Sequence, residues 1–135
     1  MFNSILVPLD GTAESNCALP VARTIARVSG GSITLVRACV SGEDQAQVQA
    51  ETTRIAAELS GEQHLTVRVE VGSGDPVSEI LTQATANRAD LIVMRTHGRS
   101  GIERMVLGSV TQRVLGHCQV PVLLVRPGGR RLNAV

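Results

Sequence analysis

The chain has 135 residues, 43% hydrophobic and 19% charged, with a formal net charge of +1. That balance suits one folded domain with an aliphatic core. It excludes a disordered chain, a membrane-spanning helix and a surface charged enough to steer the protein to nucleic acid or anionic lipid.

Residue usage narrows the chemistry further. All 13 basic residues are arginine and Phe2 is the sole aromatic. Lysine-dependent phosphate loops and Schiff-base enzymes are therefore excluded, as are aromatic platforms for single-stranded nucleic acid. Met1-Phe2-Asn3-Ser4 lacks the basic and apolar regions of a secretion signal, so cytoplasmic residence is expected.

Residues 5–9 are an apolar run ending in Asp10-Gly11-Thr12, a strand followed by a turn. The spacing of Ala18, Ala22 and Ile25 predicts a helix over 14–28, mildly kinked at Pro20 and closed by Ser29-Gly30-Gly31. A second strand over 32–38 and a second helix over 44–59 follow. The third strand, 65–71, alternates Leu65, Val67, Val69 and Val71 with Thr66, Arg68 and Glu70. Asp75-Pro76 then opens a helix over 76–88, with an acceptor at the cap and proline in the first turn. Because it follows the third strand, this opening is placed away from any central crevice. Residues 91–94 form a fourth strand, about 103–117 a fourth helix and 122–125 a fifth strand. Residues 1–127 thus make one domain, and 128–135 a flexible C-terminal tail. Cys17, Cys39 and Cys118 are scattered and odd in number, which suits reduced core thiols, and no spacing suggests a metal site.

Strands alternating with helices imply an α/β fold: a single doubly wound domain with a parallel sheet and helices on both faces. The first and fourth strands are continuously apolar, as central strands are, and the alternating third strand suits an edge. The five-stranded order 3-2-1-4-5 satisfies both. It leaves Val122-Leu123-Leu124-Val125 on the opposite edge, apolar throughout, where a second chain would pair.

In such a sheet ligands bind at the carboxyl ends of the strands where the winding reverses, here between the first and fourth. Pro8-Leu9-Asp10 meets Met94-Arg95-Thr96-His97-Gly98-Arg99 there, and the second segment runs on to Gly108-Ser109-Val110-Thr111. Glycine backbone at a helix start, the Ser109 and Thr111 hydroxyls and the Arg99 fork are the parts of a phosphate cradle without lysine. By themselves they also suit an ordinary glycine-rich connection. Asp10 equally suits a cap on the turn that follows it. No motif positions a general base, so turnover beyond slow hydrolysis is not expected; His97 and Asp10 are the candidates for that.

The whole set of segments resembles the universal stress protein family over residues 2–126. The resemblance rests on Ile5-Leu6-Val7-Pro8-Leu9-Asp10-Gly11-Thr12, Gly74-Asp75-Pro76, Ala89-Asp90-Leu91-Ile92-Val93-Met94, Thr96-His97-Gly98-Arg99-Ser100-Gly101, Leu107-Gly108-Ser109-Val110-Thr111 and Val120-Pro121-Val122-Leu123-Leu124-Val125. It implies a regulatory homodimer joined through the last strand. In one branch of the family it also implies ATP, with Mg²⁺ on the phosphates. That branch carries glycine, two residues, glycine, nine residues, then glycine with serine or threonine. Gly98 and Gly108-Ser109 fit, but Arg95 stands where the first glycine belongs. By resemblance Asp10 faces the ribose, Ala38 offers backbone contacts to adenine, and Gly98, Gly108, Ser109 and Val110 face the phosphates. Arg95 either fills the crevice, leaving a nucleotide-free dimeric interaction module, or turns outward to hold a phosphate.

Overall fold

The computed structural model describes residues 2–61, 65–96 and 108–127. Five strands, β1 (Ser4–Leu9), β2 (Ser32–Cys39), β3 (Val67–Ser73), β4 (Leu91–Arg95) and β5 (Val122–Val125), form one parallel sheet of order β3-β2-β1-β4-β5. Four helices, α1 (Ala18–Ser29), α2 (Gln45–Ser60), α3 (Pro76–Ala86) and α4 (Ser109–His117), cover it.

Side-chain alternation splits the core into two layers. Ile5, Val7, Leu9, Ile33, Leu35, Leu91 and Val93 face the small residues Ala18, Ala22 and Ala26 of α1 and Ala56 and Leu59 of α2. Leu6, Val36, Ile92 and Met94 face Val77, Ile80 and Ala84 of α3 and Val114 of α4. The central strands are buried on both sides, which is why they read as unbroken apolar runs. Asp90 fixes the start of β1 by accepting from the Asn3 and Ser4 amides.

Several boundaries differ from the sequence reading. A 3-10 turn over Ser15–Cys17 precedes α1, so Pro20 falls in the first turn of the helix, where its missing amide needs no partner and no kink is required. Helix α3 stops at Ala86, and Arg88 adopts a left-handed φ of 50°. Gly108 is extended, so α4 opens at Ser109; residues 103–107 of the expected helix lie outside the described residues. The tail expected over 128–135 lies outside the described residues. Asp44 and Asp75 cap α2 and α3 as their positions suggest, accepting from the Ala46 and Ser78 amides at 2.9 and 3.1 Å.

Candidate functional site

A cleft crosses the carboxyl ends of the three central strands on the side covered by α3 and α4. One lobe, an open volume of about 580 Å³, lies between β1, β4 and the start of α4. The other, about 410 Å³, continues past β1 to the end of β2. Pro8, Leu9, Asp10, Pro76 and Ile80 line both.

Of the residues predicted to bind a ligand, Pro8, Leu9, Asp10, Met94, Arg95, Gly108, Val110 and Thr111 line the first lobe, and Ala38 the second. Ser109 is exposed at the first position of α4 and is not in the wall. Gly98 and Arg99 lie outside the described residues, as does His97.

The first lobe ends on the N-terminus of α4. Gly108 has no side chain to cap it, and no described residue accepts from the first-turn amides, which have the positive end of the helix dipole behind them. The Thr111 hydroxyl donates to the Arg95 carbonyl at 3.4 Å and ties this turn to β4. Beside it stands Thr96, only 2% exposed, whose hydroxyl has no hydrogen-bond partner among the described residues. A buried hydroxyl left without a partner is uncommon. Here it belongs to the cleft wall.

Arg95 is paired with carboxylates at the rim of the first lobe. Alternation along β4 puts it on the opposite face from Met94 and Thr96, toward the turn after β1. Its Nη2 donates to Asp10 Oδ2 at 2.6 Å, and Nη1 lies 3.5 Å from Glu14. The guanidinium is thus held by carboxylates at the rim, and the space beneath Gly108 stays open. Asp10 does cap its turn as well: Oδ1 accepts from the Thr12 amide and hydroxyl. Partial burial pushes the Asp10 carboxyl up. The hydrogen bonds from Thr12 and Arg95 outweigh that and hold it down at about 2.

The opening of α3 is nearer the site than its place in the sequence suggested. The β3-to-β4 connection crosses over β2 and β1, which carries Pro76 and Ile80 into the wall of both lobes. Asp75, besides capping α3, pairs through both oxygens with Arg113 of α4 at 3.2 Å, joining the two helices that flank the cleft.

Sequence reading also missed Arg37 and Glu43. Arg37 is buried at the end of β2, with Nη2 2.6 Å from Glu43 Oε2, and both residues line the second lobe. A charged residue at the inward position after Ile33 and Leu35 was the available signal. Among the described residues no group of three or more His, Cys, Asp or Glu could hold a metal ion. No described helix is long and apolar enough to cross a membrane.

Comparison with known proteins agrees with this architecture. The model of the universal stress protein family matches residues 1–126. A universal stress protein of Thermus aquaticus is 32% identical, with 93% of this chain and 100% of that protein covered. Universal stress protein MJ0531 of Methanocaldococcus jannaschii is 35% identical over 71% of this chain, which spans 54% of that longer relative. Among solved structures, a universal stress protein in complex with cAMP superimposes with a TM-score of 0.73 at 24% identity, over 94% of this chain and 98% of its own. The chain belongs to the universal stress protein family.

Proposed function

We propose that the chain is a regulatory nucleotide-binding protein of the cytoplasm that takes ATP, or a related adenine nucleotide, in the cleft. The observation that carries this reading is the start of α4 at one end of the cleft, where Gly108 offers no side-chain cap and no described residue accepts from the first-turn amides, with the buried Thr96 hydroxyl beside it. The phosphates would lie there, Asp10 would accept from the ribose, and the base would occupy the lobe toward β2. Mg²⁺ would ride on the phosphates and water, since the described residues offer it no cage. The cAMP complex of a family neighbour supports an adenine nucleotide in this fold.

The protein would act as a homodimer through β5. Among the described residues that strand pairs only with β4, and Leu123 is exposed on it. Leu123→Lys should then give a monomer by sedimentation; a wild type that is monomeric at micromolar concentration removes the dimer.

A second reading has its own observation. The Arg95–Asp10 pair spans the ends of β4 and β1, where a ribose would pass. If it acts as a bar, the chain is a nucleotide-free interaction module. Calorimetry with magnesium-ATP separates the two. Uptake by the wild type supports nucleotide binding. Uptake only after Arg95→Gly supports the closed module.

A further inference from the structure

The second lobe has an apolar lining and a charged rim. Pro8, Val36, Val40, Pro76 and Ile80 supply the lining, the chemistry that suits the faces of a planar ring. At the rim the backbone carbonyl of Ala38 is already taken. Arg37 Nη1 donates to it at 2.6 Å and also to Glu43 Oε1 at 3.2 Å, while Nη2 donates to Glu43 Oε2. Glu43 is anchored in turn by the Val40 amide at 2.9 Å.

The guanidinium also packs beside Gly11. A Cβ on Gly11 would lie 2.6 Å from Arg37 Nη2, so the arginine in this position uses space that a glycine leaves. Gly11 has a φ of +86°, which glycine also favours. Held between Glu43, Ala38 and Gly11, Arg37 is a fixed element of the rim.

Resting on the nucleotide reading above, we propose that Arg37 sets base selectivity, so that the lobe accepts 6-oxopurine nucleotides at least as well as 6-aminopurine nucleotides. An exocyclic amine is a donor and needs an acceptor. The Ala38 carbonyl would serve, but Arg37 covers it and puts a cation beside the amine. A 6-oxo group is an acceptor, and arginine is its common partner on a guanine edge; with three of its five N–H groups engaged, Arg37 keeps its Nε–H and second Nη2–H for it. Among the described residues Glu43 Oε2 accepts only from Arg37, so one lone pair remains for the ring N–H next to the 6-oxo group. The side-chain pair thus replaces a backbone edge that would have read adenine.

The test is calorimetric titration of the purified full chain with magnesium-ATP and magnesium-GTP. Wild type should bind GTP within about threefold of ATP, or tighter. Arg37→Met with Glu43→Gln, which uncovers the Ala38 carbonyl without leaving a lone charge, should shift the ratio toward ATP by about tenfold or more. Arg37→Met alone should shift it the same way, and thermal melting checks that both variants fold. A wild type that prefers ATP more than about tenfold overturns the proposal, as does an unchanged ratio in the folded variants. Binding of neither nucleotide to any of the three proteins overturns the nucleotide reading itself, and this inference with it.

Discussion

Arg37 and Arg95 stand at the ends of β2 and β4, on either side of β1, each paired with a carboxylate, yet the two pairs are built differently. Arg37 is sealed in: its side chain is 7% exposed, its partner lies six residues on, and Gly11 backs it. Arg95 reaches 85 residues back to an Asp10 whose side chain is 45% exposed, with Glu14 further away. A pair closed within one strand-to-helix turn is set by local sequence and packing. A pair made across two strand ends at an open rim can change partners when a ligand arrives, because water already shares its cost of separation. The lobe beside Arg37 is therefore fixed in its chemistry, and the lobe beside Arg95 is adjustable.

The largest expected effect lies in the adjustable lobe. Gly108→Val puts a branched side chain at the uncapped start of α4, where amides must meet phosphate. Magnesium-ATP affinity should fall by about a hundredfold or more, comparable to losing two charge-assisted hydrogen bonds. Calorimetry checks it, and an unchanged affinity means that the phosphates do not use this helix. Arg95→Gly comes next. Arg95 orients the Asp10 carboxylate, so its loss should weaken binding by about tenfold. A comparable gain would instead identify the pair as a bar across the cleft.

In the fixed lobe the expected effect is on stability. Gly11→Ala combines a left-handed φ with a Cβ driven against the Arg37 guanidinium. It should cost about 1–2 kcal/mol, read from chemical denaturation. Equal stability would show that Arg37 is free to move aside, and the contrast between the lobes would lose its basis.

That contrast also explains what sequence reading reached. Strand order was legible because the apolar runs of β1 and β4 and the alternation of β3 report burial on two faces or one, a property of each strand alone. Gly108 was legible as a lining residue of the cleft because a glycine leading into a helix is a local pattern. The position of Arg95 was legible as a substitution in a motif, but its partner was not, since Asp10 is brought to it only by the adjacency of β1 and β4. Pro76 and Ile80 escaped for the same kind of reason: their place follows from the direction of a crossover, which no local pattern encodes. Arg37 escaped because one arginine ending an apolar strand forms no motif until Glu43 and Gly11 close around it.

The smallest effect, and the one that reads the rim pair most directly, is in the acid limb of stability. Asp10 is held at about 2 in the fold, below its ordinary value of 3.8. A depressed carboxyl contributes stability that is fully present above its unfolded pKa and is lost as the pH falls through the folded one. Thermal melts of wild type and Asp10→Asn should therefore differ by a constant amount from pH 8 down to about 5 and converge between about 4 and 2. The difference between the two proteins is the quantity to follow. Glu43, lowered by the Arg37 hydrogen bond and the Val40 amide, and Asp75, lowered by Arg113 and Ser78, titrate in both and cancel. Arg95→Gly should shrink the Asp10 contribution, leaving only what the Thr12 amide and hydroxyl supply. If the gap between wild type and Asp10→Asn instead stays constant down to pH 2, the Asp10 carboxyl keeps its ordinary pKa in the fold, and the rim pair is not made in solution.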